Sequence, residues 1–475
     1  GSRSLRNQDY LILLSLFILT LISVTGKCSM DFSEFTTRGF EGKGPLEFNS
    51  PEDVVITRDG KILVADQNNN RIQVFDAKGD FARFLPAKVT EATIRFSPPA
   101  NESNSERKAR ESEENRLNKL QNSFREPLGI ALDNIGNLYV SMMKDDIILI
   151  IDFKSGNVVG SIGKSGKQPG ELYYPMDIDI SSAGHIAVSE FRNKRVQILD
   201  VNGNCLKELR YQEQDAKNNI SSIAPRGVHW TNDNRLIVTY PTYNQVVCWE
   251  PYEGAVLWRY GGIKGSNDGE MNNPSFICNG VDGSILVSDT LNHRITEITR
   301  TGKFNAHYGK RGSAPGRIYV PRGIALTTDE NLVIADQGNN RLHFFKPGQA
   351  TLTLREAKQF ALKDDWTNAI TRISKVLYLQ PNNEQARDLM VNALYYFGNE
   401  AFDKGDYIKA EENYRRVLKY RPEDSSIKEK LDAVFWASNQ ETIAIAVLVV
   451  VGIIVGLFCL WIGKVLVLRL LNKKD

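Results

Sequence analysis

This chain lacks most of the signatures that would assign it a chemistry. Among 475 residues there are five cysteines (Cys28, Cys205, Cys248, Cys278 and Cys459), and no two stand in a CxxC spacing. Zinc-ribbon, thioredoxin-like and attached-haem sites are thereby excluded. Buried free thiols are expected at the three middle positions, with a Cys248–Cys278 bridge as the alternative. Five histidines are present, and none forms HxH or HExxH. No GxSxG elbow, P-loop or dinucleotide fingerprint occurs either. Charge is nearly balanced, 59 basic against 57 acidic residues, so no strong field favours nucleic acid. The expectation is a non-enzyme with no cofactor, no metal site and no catalytic residues.

Long apolar runs are scarce, and the two that exist concern a membrane. Residues 11–24 form a short run behind Arg3 and Arg6, the layout of a secretory signal. Residues 1–26 therefore read as a signal peptide or as an N-terminal signal anchor, cleaved or kept as a second span. Residues 443–463 carry no formal charge over 21 positions, which at 1.5 Å per residue is about 32 Å, enough for the hydrocarbon core. Glu441 precedes this run; Lys464, Arg469, Lys473 and Lys474 follow it. The positive-inside rule then makes 441–471 a transmembrane helix with a basic cytoplasmic tail, and puts the bulk of the chain outside the cytoplasm. Gly452 and Gly456 stand in a GxxxG spacing suited to close approach of a second helix.

What the sequence does have is a period. Pro51, Pro127, Pro175, Pro225, Pro274 and Pro321 open similar units, at spacings of 76, 48, 50, 49 and 47. Each unit holds short strands divided by turn signals, such as Arg58-Asp59-Gly60 and Asn68-Asn69-Asn70 in the first. The run Ile62-Leu63-Val64 returns as Leu138-Tyr139-Val140 and Ile186-Ala187-Val188, and again in the other three units. Four antiparallel strands per unit make a propeller blade, and six units predict six blades over 32–348. The sixth unit is one strand short. The spare segment Phe32–Arg38 is expected to pair with it and close the ring, removing an open edge. The long first spacing marks a charged insertion, 87–123, with a predicted helix from Glu106 to Gln121.

A charged pattern tracks the units. Asp66, Glu190, Asp289 and Asp336 lie 15 residues after their prolines, and Arg71, Arg195, Arg294 and Arg341 lie 20 after. Asn69, Asn193, Asn292 and Asn339 stand between, where asparagine suits a tight turn. Units two and four lose both charges together, having Met142 with Ile147 and Tyr240 with Val246. The joint loss predicts that acid and arginine touch as structural ion pairs. The pattern Pro321-Arg-Gly-Ile-Ala, then Asn331-Leu-Val-Ile-Ala-Asp, then Asn339-Asn-Arg-Leu resembles the NHL-repeat family of β-propellers. Its members include RNA binders, receptor sensor domains, protein-binding modules and lyases, so the resemblance implies a fold more than a function. Amidating-lyase relatives hold zinc with histidines at the ring centre; here His185, His229 and His293 occupy dissimilar positions in their units.

Beyond Gly348 the composition turns helical. Ala357, Phe360, Ala369, Ile373, Val376 and Pro381 repeat the spacing of Gly398, Ala401, Ala410, Tyr414, Val417 and Pro422. This is similar to two tetratricopeptide repeats, so 350–438 is expected to be a TPR-like helical domain, a spacer or a peptide binder. On the ring, the second-to-third and fourth-to-first loops share one face. Met142, Met143, Lys144, Phe191, Arg192, Tyr240, Thr242 and Tyr243 are the binding candidates there, for a protein surface or a glycan. The expected function is a membrane-anchored extracytoplasmic binding or scaffold protein. The alternatives are an accessory subunit of a membrane complex handling transport or envelope carbohydrate, and a propeller hydrolase or lyase. The bilayer and a protein partner are implied, and nucleic acid is not.

Overall fold

A computed structural model describes residues 32–87, 94–99, 101–214, 220–280, 283–381 and 383–471. The signal segment 1–26, Cys28, Lys473 and Lys474 lie outside these, as does part of the 87–123 insertion. Contacts divide the chain near Leu352 into two units.

The first unit is a ring of six four-stranded antiparallel sheets. Blade one runs through Pro51–Ile56, Ile62–Asp66, Arg71–Phe75 and Phe81–Leu85. Blades two to five repeat that order from Pro127, Pro175, Val228 and Pro274. Blade six supplies Pro321–Leu326, Leu332–Asp336 and Arg341–Pro347, and Phe32–Arg38 pairs antiparallel with the last of these, from Phe32↔Pro347 to Arg38↔Leu342. The closing strand is therefore the one expected from the strand count. Second strands such as Ile62–Asp66 and Leu332–Asp336 are buried throughout. A blade packs on both faces, so these strands read as continuous apolar runs.

First strands line the axis, and the third residues of the six units, counted from each proline, alternate beside it: Asp53, Gly129, Asp177, Gly227, Phe276 and Gly323. The glycines are spaces for the following blade. A Cβ on Gly129 would strike Asp177, one on Gly227 would strike the Ser275 carbonyl, and one on Gly323 would strike the Asp53 main chain. Hydroxyls from second strands staple the seams: Ser141 Oγ donates to Met176 O at 2.9 Å and Thr239 Oγ1 to Ser275 O at 2.6 Å.

The insertion forms helix α1 (Asn104–Asn122), started by a Ser103–Glu106 capping box. It is a wedge and not a free lid. Leu117 is fully buried in a cluster with Leu63, Met142, Leu149 and Val158, drawn from blades one and two. Gln121 donates to Ala87 O at 3.1 Å and accepts from Val158 N at 3.0 Å.

The second unit begins within α2 (Gln349–Ala361). It continues with α3 (Trp366–Leu379), α4 (Glu384–Asp403), α5 (Tyr407–Leu418), α6 (Ser425–Ser438) and α7 (Gln440–Leu471). Asp365 and Asp406 cap α3 and α5 with side-chain acceptors, as the turn residues Asp364-Asp365-Trp366 and Gly405-Asp406-Tyr407 imply. Ala357, Ala369, Ile373, Val376, Ala410, Tyr414 and Val417 form the core. Gly398 is a packing requirement, since a Cβ there would stand 2.8 Å from Tyr414 Cδ1. In α7, Gln440–Val465 is long and apolar enough to span a bilayer, 26 residues or about 39 Å. Gly452 and Gly456 lie within it, with open space where their Cβ atoms would stand.

Candidate functional site

Four carboxylates and four arginines meet in the blades as the spacing implied. Nε-to-oxygen distances are 2.8 Å for Arg71–Asp66, 2.6 Å for Arg195–Glu190, 2.8 Å for Arg294–Asp289 and 3.3 Å for Arg341–Asp336. Their purpose lies in what else they hold. Arg195 donates to the carbonyls of Lys167, Gln168 and Glu171, all in the glycine-rich loop arriving from blade two. Arg71 and Arg341 grip the equivalent loops through Gly44 and Glu47, and through Ser313, Ala314 and Arg317. The acid's other oxygen accepts a main-chain N–H of the same loop, from Asn49, Tyr173, Asn272 or Tyr319. Gln73, Gln197, Thr296 or His343 completes each cluster. Each loop also carries a short parallel pairing: Phe40–Glu41 with Glu47–Phe48, then Ser165↔Leu172, Lys264↔Met271 and Arg311↔Ile318. The pairs are therefore loop clamps.

This explains why units two and four lack them. Their incoming connections are the α1 insertion and a hairpin of Gln212–Gln214 with Ile220–Ser222, with no glycine-rich loop to hold. Apolar side chains fill the sites instead. Met142 is 2% exposed beneath α1, and Tyr240 is 1% exposed against Tyr211, with ring centroids 4.8 Å apart. Both are core residues, which corrects their assignment to a binding face.

The other candidates lie at the surface. Phe191 and Tyr243 are exposed, and Thr242 and Arg192 with them, the Arg192 guanidinium 5.2 Å from the Tyr174 ring centroid. Met143 is half-buried, and Lys144 pairs with Glu126 at 2.5 Å.

Asparagines Asn69, Asn193, Asn292 and Asn339 do not take the left-handed turn conformation expected of them. The next residue does: Asn70, Lys194, His293 or Asn340, with φ near 50°. The Asn Nδ2 instead bridges the clamp acid and a loop carbonyl, as Asn193 does to Glu190 at 2.6 Å and to Gly166 O at 2.9 Å. The left-handed residues have their own task. Asn70, Asp146, Asn244, His293 and Asn340 each accept the N–H of the residue preceding the next blade's proline, at 2.8 to 3.1 Å. His293 is occupied in this way. His343 is buried in a clamp and His185 meets the Tyr252 hydroxyl.

An axial cavity of about 310 Å³ is lined by all six first strands. His229 faces it, with Nδ1 2.9 Å from Asp179 Oδ2 and a buried Nε2 that has no partner among the described residues. Asp53 and Asp177 cross the seams to accept Ile130 N and Val228 N. Burial pushes Asp53 well above the usual carboxylate range, and repulsion from Asp177 adds to it. Burial likewise raises Asp177 to about 7, against the N–H of Val228, which favours the ionised form. Over the window from the ordinary carboxylate range up to about 7, the unfolded chain has released this proton and the folded chain retains it. This group's contribution to stability therefore falls as pH rises through that window and is level above it. Urea midpoints of the full chain in detergent are expected to show this downward component. Asp177→Asn removes it, so an unchanged slope in that variant contradicts the assignment.

A groove of about 580 Å³ lies between blade one and the end of α1, lined by Lys43, Asn68, Arg71, Phe84, Gln121 and Phe124 among others. Among the described residues, no group of three or more His, Cys, Asp or Glu is placed to hold a metal ion. Cys205, Cys248, Cys278 and Cys459 are free thiols.

Known proteins share parts of this chain. NHL repeat-containing protein 3 of Mus musculus is 46% identical over 76 residues, 15% of this chain and 22% of the relative. A probable peptidyl-alpha-hydroxyglycine alpha-amidating lyase of Caenorhabditis elegans, pgal-1, is 23% identical over 128 residues, 26% of this chain and 36% of the relative. The matched stretch thus spans about a fifth to a third of those relatives' lengths. A solved streptogramin B lyase structure aligns with 67% of this chain and all of its own, at 14% identity and a TM-score of 0.44. The family model for the NHL repeat matches residues 48–75, which run from the end of the first clamped loop to Phe75 of blade one, so this six-bladed propeller carries an NHL repeat.

Proposed function

We propose that this chain is a membrane-anchored binding scaffold whose propeller presents its clamped face to a partner outside the cytoplasm. One observation carries the reading: four buried acid–arginine clusters are spent on fixing the loops of a single face, and the exposed Phe191, Arg192, Thr242 and Tyr243 stand on that face. Rigid loops lose little entropy on binding, and exposed aromatics supply area at low ordering cost. Helices α2 to α6 serve as a TPR-like spacer or peptide binder, and α7 serves as the anchor. Lys464 and Arg469 follow its apolar stretch and favour a cytoplasmic C-terminus. The N-terminal run is a cleaved signal or a second span.

Protease added to intact cells is expected to remove the propeller while a C-terminal tag stays protected; the reverse pattern defeats the topology. Gentle detergent purification is expected to retain a defined partner. If that partner is a set of membrane subunits, the accessory-subunit reading gains. A second reading, a lyase or hydrolase, is favoured by the Asp179–His229 pair in the axial cavity. Stoichiometric zinc or calcium in purified protein would support it.

A further inference from the structure

Three residues that each follow a period-setting proline converge over the ring axis: Glu52 of blade one, Arg226 of blade four and Arg322 of blade six. Blades one and four face each other across a six-membered ring, so the 2.9 Å bond from Arg226 Nη2 to Glu52 Oε2 spans the axial opening. The first strands begin beside the ends of the second strands, as in Pro51↔Asp66 and Pro321↔Asp336. The opening therefore belongs to the clamped face.

Two guanidiniums flank one carboxylate here, and most of their donors bond nothing among the described residues. Each guanidinium has five N–H donors. Arg195, in its clamp, places bonds on Glu190, Glu208 and three loop carbonyls. Arg226 makes one, to Glu52, and its Nε is buried with no partner among the described residues. Arg322 makes one, from Nε to Gln337 Oε1 at 2.9 Å, and its approach to Glu52 is 3.8 Å, beyond hydrogen-bond range. Gln337 Nε2 holds Glu52 Oε1 at 2.5 Å, which fixes the acid away from Arg322. The other nearby carboxylates do not compensate. Both oxygens of Asp53 and of Asp177 are taken by main-chain N–H groups, and burial favours their neutral forms. The Arg322 guanidinium is pushed down to about 10 by its burial and by Arg226, against the attraction of Glu52. Side chains of both arginines remain partly exposed, 18% and 17%, against 5% for Glu52.

We propose that the axial opening of the clamped face is a binding site for one oxyanion group, a carboxylate or phosphate presented by the ligand, held by Arg226 and Arg322. Under-used, partly desolvated guanidiniums bind such groups in charge-assisted, forked geometry. Phe276 walls the site, its ring centroid 5.7 Å from the Arg226 guanidinium carbon. The inference does not depend on the chain being membrane-anchored.

Calorimetric and thermal-unfolding titrations of the full chain in detergent, with inorganic phosphate and with succinate against chloride at equal ionic strength, test it. Saturable binding is expected for at least one oxyanion, weakened about tenfold or more in Arg226→Gln and in Arg322→Gln. Glu52→Gln moves the other way. It removes the one negative charge beside both guanidiniums, so the variant unfolds at lower temperature without anion and gains more than the parent when phosphate is added. A site on the exposed arginine Arg311 would instead respond to Arg311→Gln. The proposal is overturned if the folded parent binds neither anion saturably. It is equally overturned if both arginine variants bind as the parent does, or if Glu52→Gln binds less tightly.

Discussion

Arg195→Ala will lower the stability of the propeller by about 3–5 kcal/mol, the cost of leaving a buried charge without its partner. Glu190 and Arg195 are both fully buried at the side chain, and no water can replace the lost guanidinium without entering the blade. Arg71→Ala follows the same logic with a smaller loss, because that arginine is partly exposed. The informative variant is the double one, Glu190→Met with Arg195→Ile, which copies the pairing found in blade two. If the cluster were only an ion pair, apolar replacement would restore most of the stability. In a clamp it will not. The Lys167 carbonyl loses its donor, at about 1 kcal/mol, and those of Gln168 and Glu171 keep only Glu171 N–H and Gln197 Nε2. Urea midpoints report the stability, and limited proteolysis should cut the double variant between Gly163 and Leu172. A double variant with parental stability and an uncut loop would reduce these pairs to ordinary salt bridges.

Gly323→Ala is the second severe change. A Cβ there would stand 2.5 Å from Val54 N and 2.7 Å from the Asp53 carbonyl carbon, and these are main-chain atoms that cannot swing aside. Relief requires the first strands of blades six and one to part at the seam where the ring closes. A loss of about 3 kcal/mol is expected, the upper end of overpacking costs. Gly160→Ala is the control, because its Cβ would sit at an ordinary 3.6 Å from Ile150 Cδ1. Thermal unfolding of both variants decides the matter: equal midpoints would mean that the first-strand glycines are not spacers.

The ring, its six blades and its closing strand were legible because each rests on counting. Period, strand number and one missing strand leave a single way to remove the free edge. The charge pairs were legible for a similar reason, since two charges that vanish together imply contact. Their function was harder to see. Arg195 spends most of its bonds on main-chain carbonyls, which have no letter in a sequence. The clue was the co-occurrence of pairs with glycine-rich connections, at 39–48 and 309–316 for example, and their absence after the α1 insertion. Met142 and Tyr240 read as exposed from sequence because a lost loop charge suggests an open surface, whereas in both blades it accompanies a covering element. The axial arginines were hidden for another reason. Arg226 and Arg322 each share a Pro-Arg-Gly triplet, which reads as repeat punctuation until the ring brings its positions together.

Phe32 pairs with Pro347, so the first described strand waits for almost the whole ring to be made. During translation that strand leaves the ribosome more than 300 residues before its partner, and blade one emerges without the neighbour that will cover its Asp53 side. The entropic cost of joining such distant segments grows only with the logarithm of their separation. The delay itself is the hazard, because an unpaired strand and an open seam invite pairing with another nascent chain. Truncation before Pro321, which removes every strand that could pair with Phe32–Arg38, should therefore yield aggregates in place of a five-bladed product.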